Sequence, residues 1–303
     1  MKKAVITTTT FGKYDDRPLV LLKKHGFEVI LNPYGRTLKK DETVELCKGA
    51  VGIVAGTETL DADVIGKLTD LRVVSRCGSG LTNVDLDTAE RLGIKVFNTP
   101  DGPVLAVAEL TVGLILGLLR KICRMDKVLR EGSWDKMMGN LLYGKKVGIK
   151  GFGRIGRKVA ELLRGFGCEI SYADPFVEDG VIGLKRLSLE ELLSWGDIIS
   201  IHVSVKDRLI GGKELQIMKK GAWLINTSRG GVVDEAALYE NLSSGYLGGA
   251  ALDVFEEEPY LGPLSELDNV ILTAHIGSYA REARVDMEMQ AVNNMLKGLG
   301  EIK

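Results

Sequence analysis

Short runs rich in valine and isoleucine alternate with helix-period segments through almost the whole chain. In the first hundred residues Ala4–Thr7, Glu28–Leu31, Val51–Ala55, Val73–Ser75 and Lys95–Phe97 predict strands, with helices at Pro18–His25, Ala62–Leu68 and Leu86–Leu92 between most of them. Such alternation predicts parallel strands joined by right-handed crossovers. Two prolines and a glycine in Asn98-Thr-Pro-Asp-Gly-Pro103 interrupt it and mark a domain crossing, ahead of the apolar helix Val104–Arg120. Glu109 is the main polar break in that helix, which suits burial between two surfaces. After Gly144 a second alternation predicts strands at Val147–Ile149, Glu169–Tyr172, Ile198–Ile201, Ala222–Asn226, Gly249–Asp253 and Val270–Leu272, a sheet of about six. Trp134–Leu142 is expected to form an arm, with Met137 and Met138 as adaptable contacts.

Composition narrows the class. The 303 residues are 45% hydrophobic and 27% charged, enough for two globular domains with sizeable cores. A formal charge of −1 supplies no general basic field, so no nucleic-acid partner is expected. The longest apolar run, Val112–Leu119, is far short of the roughly 18 residues that span a bilayer, so no membrane partner is expected either. The N-terminus has no apolar segment of signal-peptide length, and the expected location is the cytoplasm. Cys47, Cys77, Cys123 and Cys168 are scattered without paired spacing, which predicts reduced thiols and no metal site.

The most informative stretch begins at the second alternation. A strand runs into Lys150-Gly151-Phe-Gly153-Arg154-Ile155-Gly156, a helix follows, and the next strand ends on Asp174. The three glycines permit a tight turn, close approach of backbone to a pyrophosphate, and close packing of helix on sheet. The free N–H groups at the helix start then attract the phosphates. Asp174, 18 residues past Gly156, suits the two hydroxyls of an adenosine ribose and should repel a 2′-phosphate. The second domain is therefore expected to be a doubly wound (Rossmann) unit binding NAD in preference to NADP. Lys150 is out of keeping with a buried strand end, so it must point out of the core or meet an anion.

Strand ends in the same half carry the candidate chemistry. Of the three histidines, His25 reads as a surface residue, whereas His275 stands just beyond the last predicted strand. Arg229 follows the strand ending at Asn226, and Asp253 and Glu258 follow the next. Parallel strands present their ends on one edge, so these groups can converge near a nicotinamide. A carboxylate beside a histidine favours an imidazolium able to protonate a carbonyl, and an arginine can fork a carboxylate.

The order Asn-Thr-Ser-Arg229-Gly-Gly, then Ala-Leu-Asp253-Val-Phe-Glu-Glu-Glu258-Pro, then His275-Ile-Gly resembles the D-2-hydroxyacid dehydrogenases, especially phosphoglycerate dehydrogenases, over nearly the whole chain. The resemblance implies a catalytic set of Arg229, Glu258 and His275. It implies that Arg76, Gly78, Ser79 and Gly80 bind the substrate carboxylate, the Ser79 and Gly80 N–H groups directly. It also implies cofactor contacts from Gly151, Gly153, Arg154, Ile155, Gly156, Asp174, His202, Val203, Thr227 and Asp253, the last to the nicotinamide carboxamide. The implied α/β fold pairs a Rossmann domain at 99–279 with a smaller flavodoxin-like substrate domain at 1–98 and 280–303, in a homodimer acting on a small 2-hydroxy or 2-keto acid.

The chain departs from the family in three places. Ala274 stands where Pro commonly precedes the histidine, His202-Val-Ser204 replaces His-x-Pro, and Asp101-Gly-Pro-Val-Leu105 replaces Asn/Ser-rich residues after Asn-Thr-Pro. The leading substrate expectation is 3-phosphoglycerate with its 2-keto partner, then glyoxylate or hydroxypyruvate. A nucleotide-sensing regulator is the alternative of another class, and retention of Arg229, Glu258 and His275 together speaks against it. Formate-type enzymes pair their His with Gln, which Glu258 argues against.

Overall fold

The computed structural model describes residues 1–205 and 207–302. Five strands and four helices alternate first: β1 (Lys2–Ile6), α1 (Arg17–Lys24), β2 (Phe27–Leu31), α2 (Lys40–Cys47), β3 (Ala50–Ala55), α3 (Ala62–Gly66), β4 (Val73–Arg76), α4 (Leu86–Arg91) and β5 (Lys95–Asn98). Next come α5 (Pro103–Leu119), α6 (Ile122–Arg130), β6 (Lys146–Lys150), α7 (Arg154–Arg164), β7 (Glu169–Ala173), β8 (Lys185–Arg186) and α8 (Leu189–Trp195). The chain continues through β9 (Ile198–Ile201), α9 (Gly212–Ile217), β10 (Trp223–Asn226), α10 (Glu235–Ser243), β11 (Gly249–Leu252), β12 (Val270–Leu272) and α11 (Arg281–Gly298). It divides into two compact units, Met1–Pro103 with Ser278–Lys303, and Val104–Gly277.

The first unit holds a parallel five-stranded sheet in the order β2-β1-β3-β4-β5. Val5, Ile53 and Val74 face one core with Leu60, Val64 and Ile65, while Ala4, Ile6, Val54 and Val73 face α11 through Met287, Ala291, Met295 and Leu296. Successive side chains point to opposite faces, so continuous apolar runs mark strands covered on both sides.

The second unit has a seven-stranded parallel sheet ordered β12-β11-β10-β9-β6-β7-β8, one strand more than the six expected. The addition is β8, a two-residue edge strand. On one face α5 and α7 bury Ile149, Ile225 and Ala251, and on the other α8 to α10 bury Ile199, Leu224 and Ala250. From β6 the chain winds out to β8, then crosses back to β9 and winds the opposite way. The C-terminal ends of β6 and β9 thus form the switch point where open α/β sheets take ligands. Among the described residues no single helix is long and apolar enough to cross a membrane, and no cluster of three metal-ligating side chains occurs.

Candidate active site

The nucleotide end of the second unit is built by backbone. Gly151 adopts φ +89°, and a Cβ there would lie 2.6 Å from the His202 carbonyl oxygen. A Cβ at Gly156 would lie 2.2 Å from the Gly151 oxygen, so the first turn of α7 packs directly on the loop. Gly153 differs: its added Cβ meets nothing within 4 Å. That open face, at a helix start with no side-chain cap, is the cradle a pyrophosphate requires. Arg154 and Ile155 open α7 and supply its leading N–H groups. Asp174 lies just past β7, where one carboxylate oxygen accepts the Phe152 N–H at 2.7 Å and the other the Phe176 N–H at 2.8 Å. It is therefore locked beside the glycine loop with acceptor capacity to spare for ribose hydroxyls. These features fit a dinucleotide.

His202 and Val203 follow β9. His202 Nε2 lies 2.8 Å from Ser200 Oγ, and Thr227 Oγ1 approaches its Nδ1 at 3.5 Å. Burial pushes His202 down to about 3, so the ring is neutral and shapes the wall without adding charge. Thr227 is itself held by Thr111 at 3.0 Å.

The proton-transfer end lies past β10, β11 and β12. After β10, Asn226 Oδ1 accepts the Ser228 N–H and hydroxyl at 3.0 and 2.7 Å, and its amide donates to the Arg229 carbonyl at 3.1 Å. This wrapped turn fixes the base of Arg229, whose guanidinium also donates to the Ser228 carbonyl at 2.6 Å. Burial lowers the Arg229 pKa from its ordinary value, a sign of a guanidinium short of solvent. After β11, Glu258 accepts the Phe255 N–H at 3.2 Å and meets His275 Nδ1 with both oxygens, at 3.1 and 2.9 Å. The Glu258–Pro259 peptide is cis. With Nδ1 engaged, Nε2 is the His275 atom available for proton transfer.

Asp253 anchors the segment after β12. Its Oδ1 accepts the Thr273 hydroxyl at 2.6 Å and the Ile276 N–H at 2.8 Å, and its Oδ2 accepts the Gly277 N–H at 2.8 Å. These bonds bracket His275, which has φ +53°, a conformation that costs a non-glycine residue roughly 1–2 kcal/mol. Strain of this kind persists where neighbours over-determine the loop.

Arg76, Gly78, Ser79 and Gly80 belong to the first unit, at the end of β4. Gly78 has φ +148°, and a Cβ there would fall 1.2 Å from Arg76 Nη1, so the guanidinium lies across that glycine. The Gly78 N–H donates to Thr99 Oγ1 at 2.7 Å, and the Asn98 amide donates to the Ser79 carbonyl at 2.7 Å. Sequence reasoning missed Glu58 in the same unit, which is 1% exposed and accepts the Thr7 hydroxyl and the Gly56 N–H. Burial pushes its carboxyl up. A lone acid flanked by threonines between two apolar segments was the available signal.

The second unit alone defines a class: a doubly wound nucleotide fold carrying a His–Glu pair and an arginine on adjacent strand ends. Residues 112–277 match the family model for the D-isomer specific 2-hydroxyacid dehydrogenase, NAD binding domain. A hydroxypyruvate reductase of Thermotoga maritima is 37% identical over 291 residues, covering 93% of this chain and 94% of that protein. A D-3-phosphoglycerate dehydrogenase of Archaeoglobus fulgidus is 37% identical over 292 residues, 92% of this chain but only 55% of that protein. The chain thus spans about half the length of that relative. The crystal structure of the TT0316 protein from Thermus thermophilus superposes with a TM-score of 0.92 at 35% identity, covering 99% of this chain and 98% of that one. The chain belongs to the D-isomer-specific 2-hydroxyacid dehydrogenase family.

Proposed function

We propose that the protein interconverts a D-2-hydroxyacid and its 2-keto acid with NAD, and that 3-phosphoglycerate and 3-phosphohydroxypyruvate are the first pair to test. The observation that carries this is the His275–Glu258 contact at 2.9 Å, on the strand edge that also holds the glycine loop. Bound NAD supplies or accepts the hydride. Arg229 forks the acid's carboxylate and polarises the adjoining carbonyl. His275 Nε2 gives its proton to the carbonyl oxygen in reduction and takes it back in oxidation, while Glu258 fixes the tautomer and ring orientation. Reduction of hydroxypyruvate or glyoxylate is a second reading, favoured by the match to a hydroxypyruvate reductase along nearly its full length.

We assign the protein to the cytoplasm and to a homodimer. In support of the dimer, the Trp134–Leu142 arm forms neither helix nor strand and leaves Trp134 79% and Met138 88% exposed. Trp134→Glu with Met138→Glu should halve the mass measured by light scattering.

The test of function is loss of NADH absorbance with a panel of 2-keto acids that includes phosphohydroxypyruvate, hydroxypyruvate and glyoxylate. Turnover that falls about 10³-fold in His275→Ala supports the dehydrogenase, and the preferred acid names the substrate. Tight NADH binding with no acid reduced would leave a nucleotide-sensing protein instead.

A further inference from the structure

Lys150 is the residue that the dinucleotide fingerprint does not explain. It ends β6 at the switch point, paired in register with Ala173 of β7 on one side and Ile201 of β9 on the other. Alternation along β6 decides its face. Val147 and Ile149 pack in the core beneath α5 and α7, whereas a Cβ at Gly148 would touch Leu192 and Ile199 on the opposite side. Lys150, two residues past Gly148, shares that second face with Ala173 and Ile201, both buried there. A lysine on that face can lay its alkyl stem along this apolar floor and carry its ammonium to the strand edge. The group is half-buried, and burial works against its charge while Asp174 supports it. Asp174 in turn is fixed by the Phe152 and Phe176 N–H groups.

A lone acid at the end of β7 repels a 2′-phosphate. Here a cation ends the adjoining strand, in register with Ala173 and so one residue short of Asp174, whose charge it feels. We propose that Lys150 is a specificity-determining cation of the adenosine site, offsetting Asp174 so that the enzyme takes a 2′-phosphorylated dinucleotide beside the unphosphorylated one. This rests on the dinucleotide site alone, whichever acid is reduced.

Equilibrium binding of NADH and NADPH, followed by nucleotide fluorescence, tests the assignment without turnover. The wild-type protein should bind NADPH within about thirtyfold of NADH. Lys150→Met should raise the NADPH Kd about tenfold or more and the NADH Kd less than about threefold, and Lys150→Arg should restore the ratio. A wild-type ratio above about thirtyfold, or a ratio that Lys150→Met leaves unchanged, overturns the proposal. Should Lys150→Met not fold, competition between ADP-ribose and its 2′-phosphate on the wild-type protein reads the same ratio, with the same threshold.

Discussion

Removing the Asp253 carboxylate separates holding the catalytic loop from holding the nicotinamide. The side chain is 1% exposed and makes bonds of 2.6, 2.8 and 2.8 Å to Thr273, Ile276 and Gly277. Asp253→Ala strands two backbone donors, one buried and one half-buried. Each costs about 1–3 kcal/mol when unpaired, and water reaching the Ile276 N–H brings the total towards 2–4 kcal/mol. For a unit of this size that is a fall in melting temperature of roughly 5–12 °C. His275 loses the bracket that maintains its φ of +53°, so kcat should drop about 10²-fold. Asp253→Asn keeps two acceptor contacts but turns an amide donor towards Gly277, and should fall between Ala and wild type. Calorimetry, initial rates and NADH titration on the three proteins decide the matter. Unchanged melting temperature with a large rise in NADH Kd would refute loop anchoring and leave carboxamide binding as the residue's main task.

Other perturbations probe neighbouring parts of the site. In Glu258→Gln the lost partner is half-exposed, so stability should change by less than about 1 kcal/mol while kcat falls about 10²-fold, which thermal melts and rates will show. Gly153→Ala meets no atom in the protein, so its melting temperature should match wild type while the NADH Kd rises at least about tenfold; Gly156→Ala, aimed at the Gly151 oxygen, should lose roughly 1–3 kcal/mol in the same melts. Glu58 has a folded-state pKa raised by burial, so the folded protein holds that proton more firmly than the unfolded chain. Stability is then greatest below the usual carboxylate value of 4.5 and declines as pH rises through the higher folded value. Glu288, raised likewise by burial, has the same sign. Melting temperatures from pH 5 to 8 should therefore slope less in Glu58→Gln than in wild type, and parallel curves would sink the assignment.

Strands were legible in the sequence because both faces of each sheet are covered, which makes them continuous apolar runs. β9 and β12 coincide with their predicted spans, and the others differ by a residue or two at the ends. α2 was not legible: only Thr43 and Cys47 are buried, too few for a helical stripe. β8 is two exposed residues and leaves no pattern. The glycine loop could be read because its demands are local in sequence. The anchoring by Asp253 could not, since its partners lie 20 to 24 residues on and their contribution is backbone N–H groups that carry no residue signature. For Glu58 the Gly56 contact is local, but the Thr7 hydroxyl, 51 residues away, is brought to it only by the pairing of β1 with β3.

The order of strands explains why hydride and proton chemistry coexist in one unit. From the switch point, β6 and β7 carry the phosphate loop and Asp174, while β10, β11 and β12 carry Arg229, Glu258 and His275 on consecutive ends. Neighbouring strands are about 4.8 Å apart, so the ends of β10 and β12 from which Arg229 and His275 project are roughly 10 Å from each other. The chemical step is thereby bound to one rigid sheet. The loop of Arg76 to Gly80 belongs to the other unit, which has its own core.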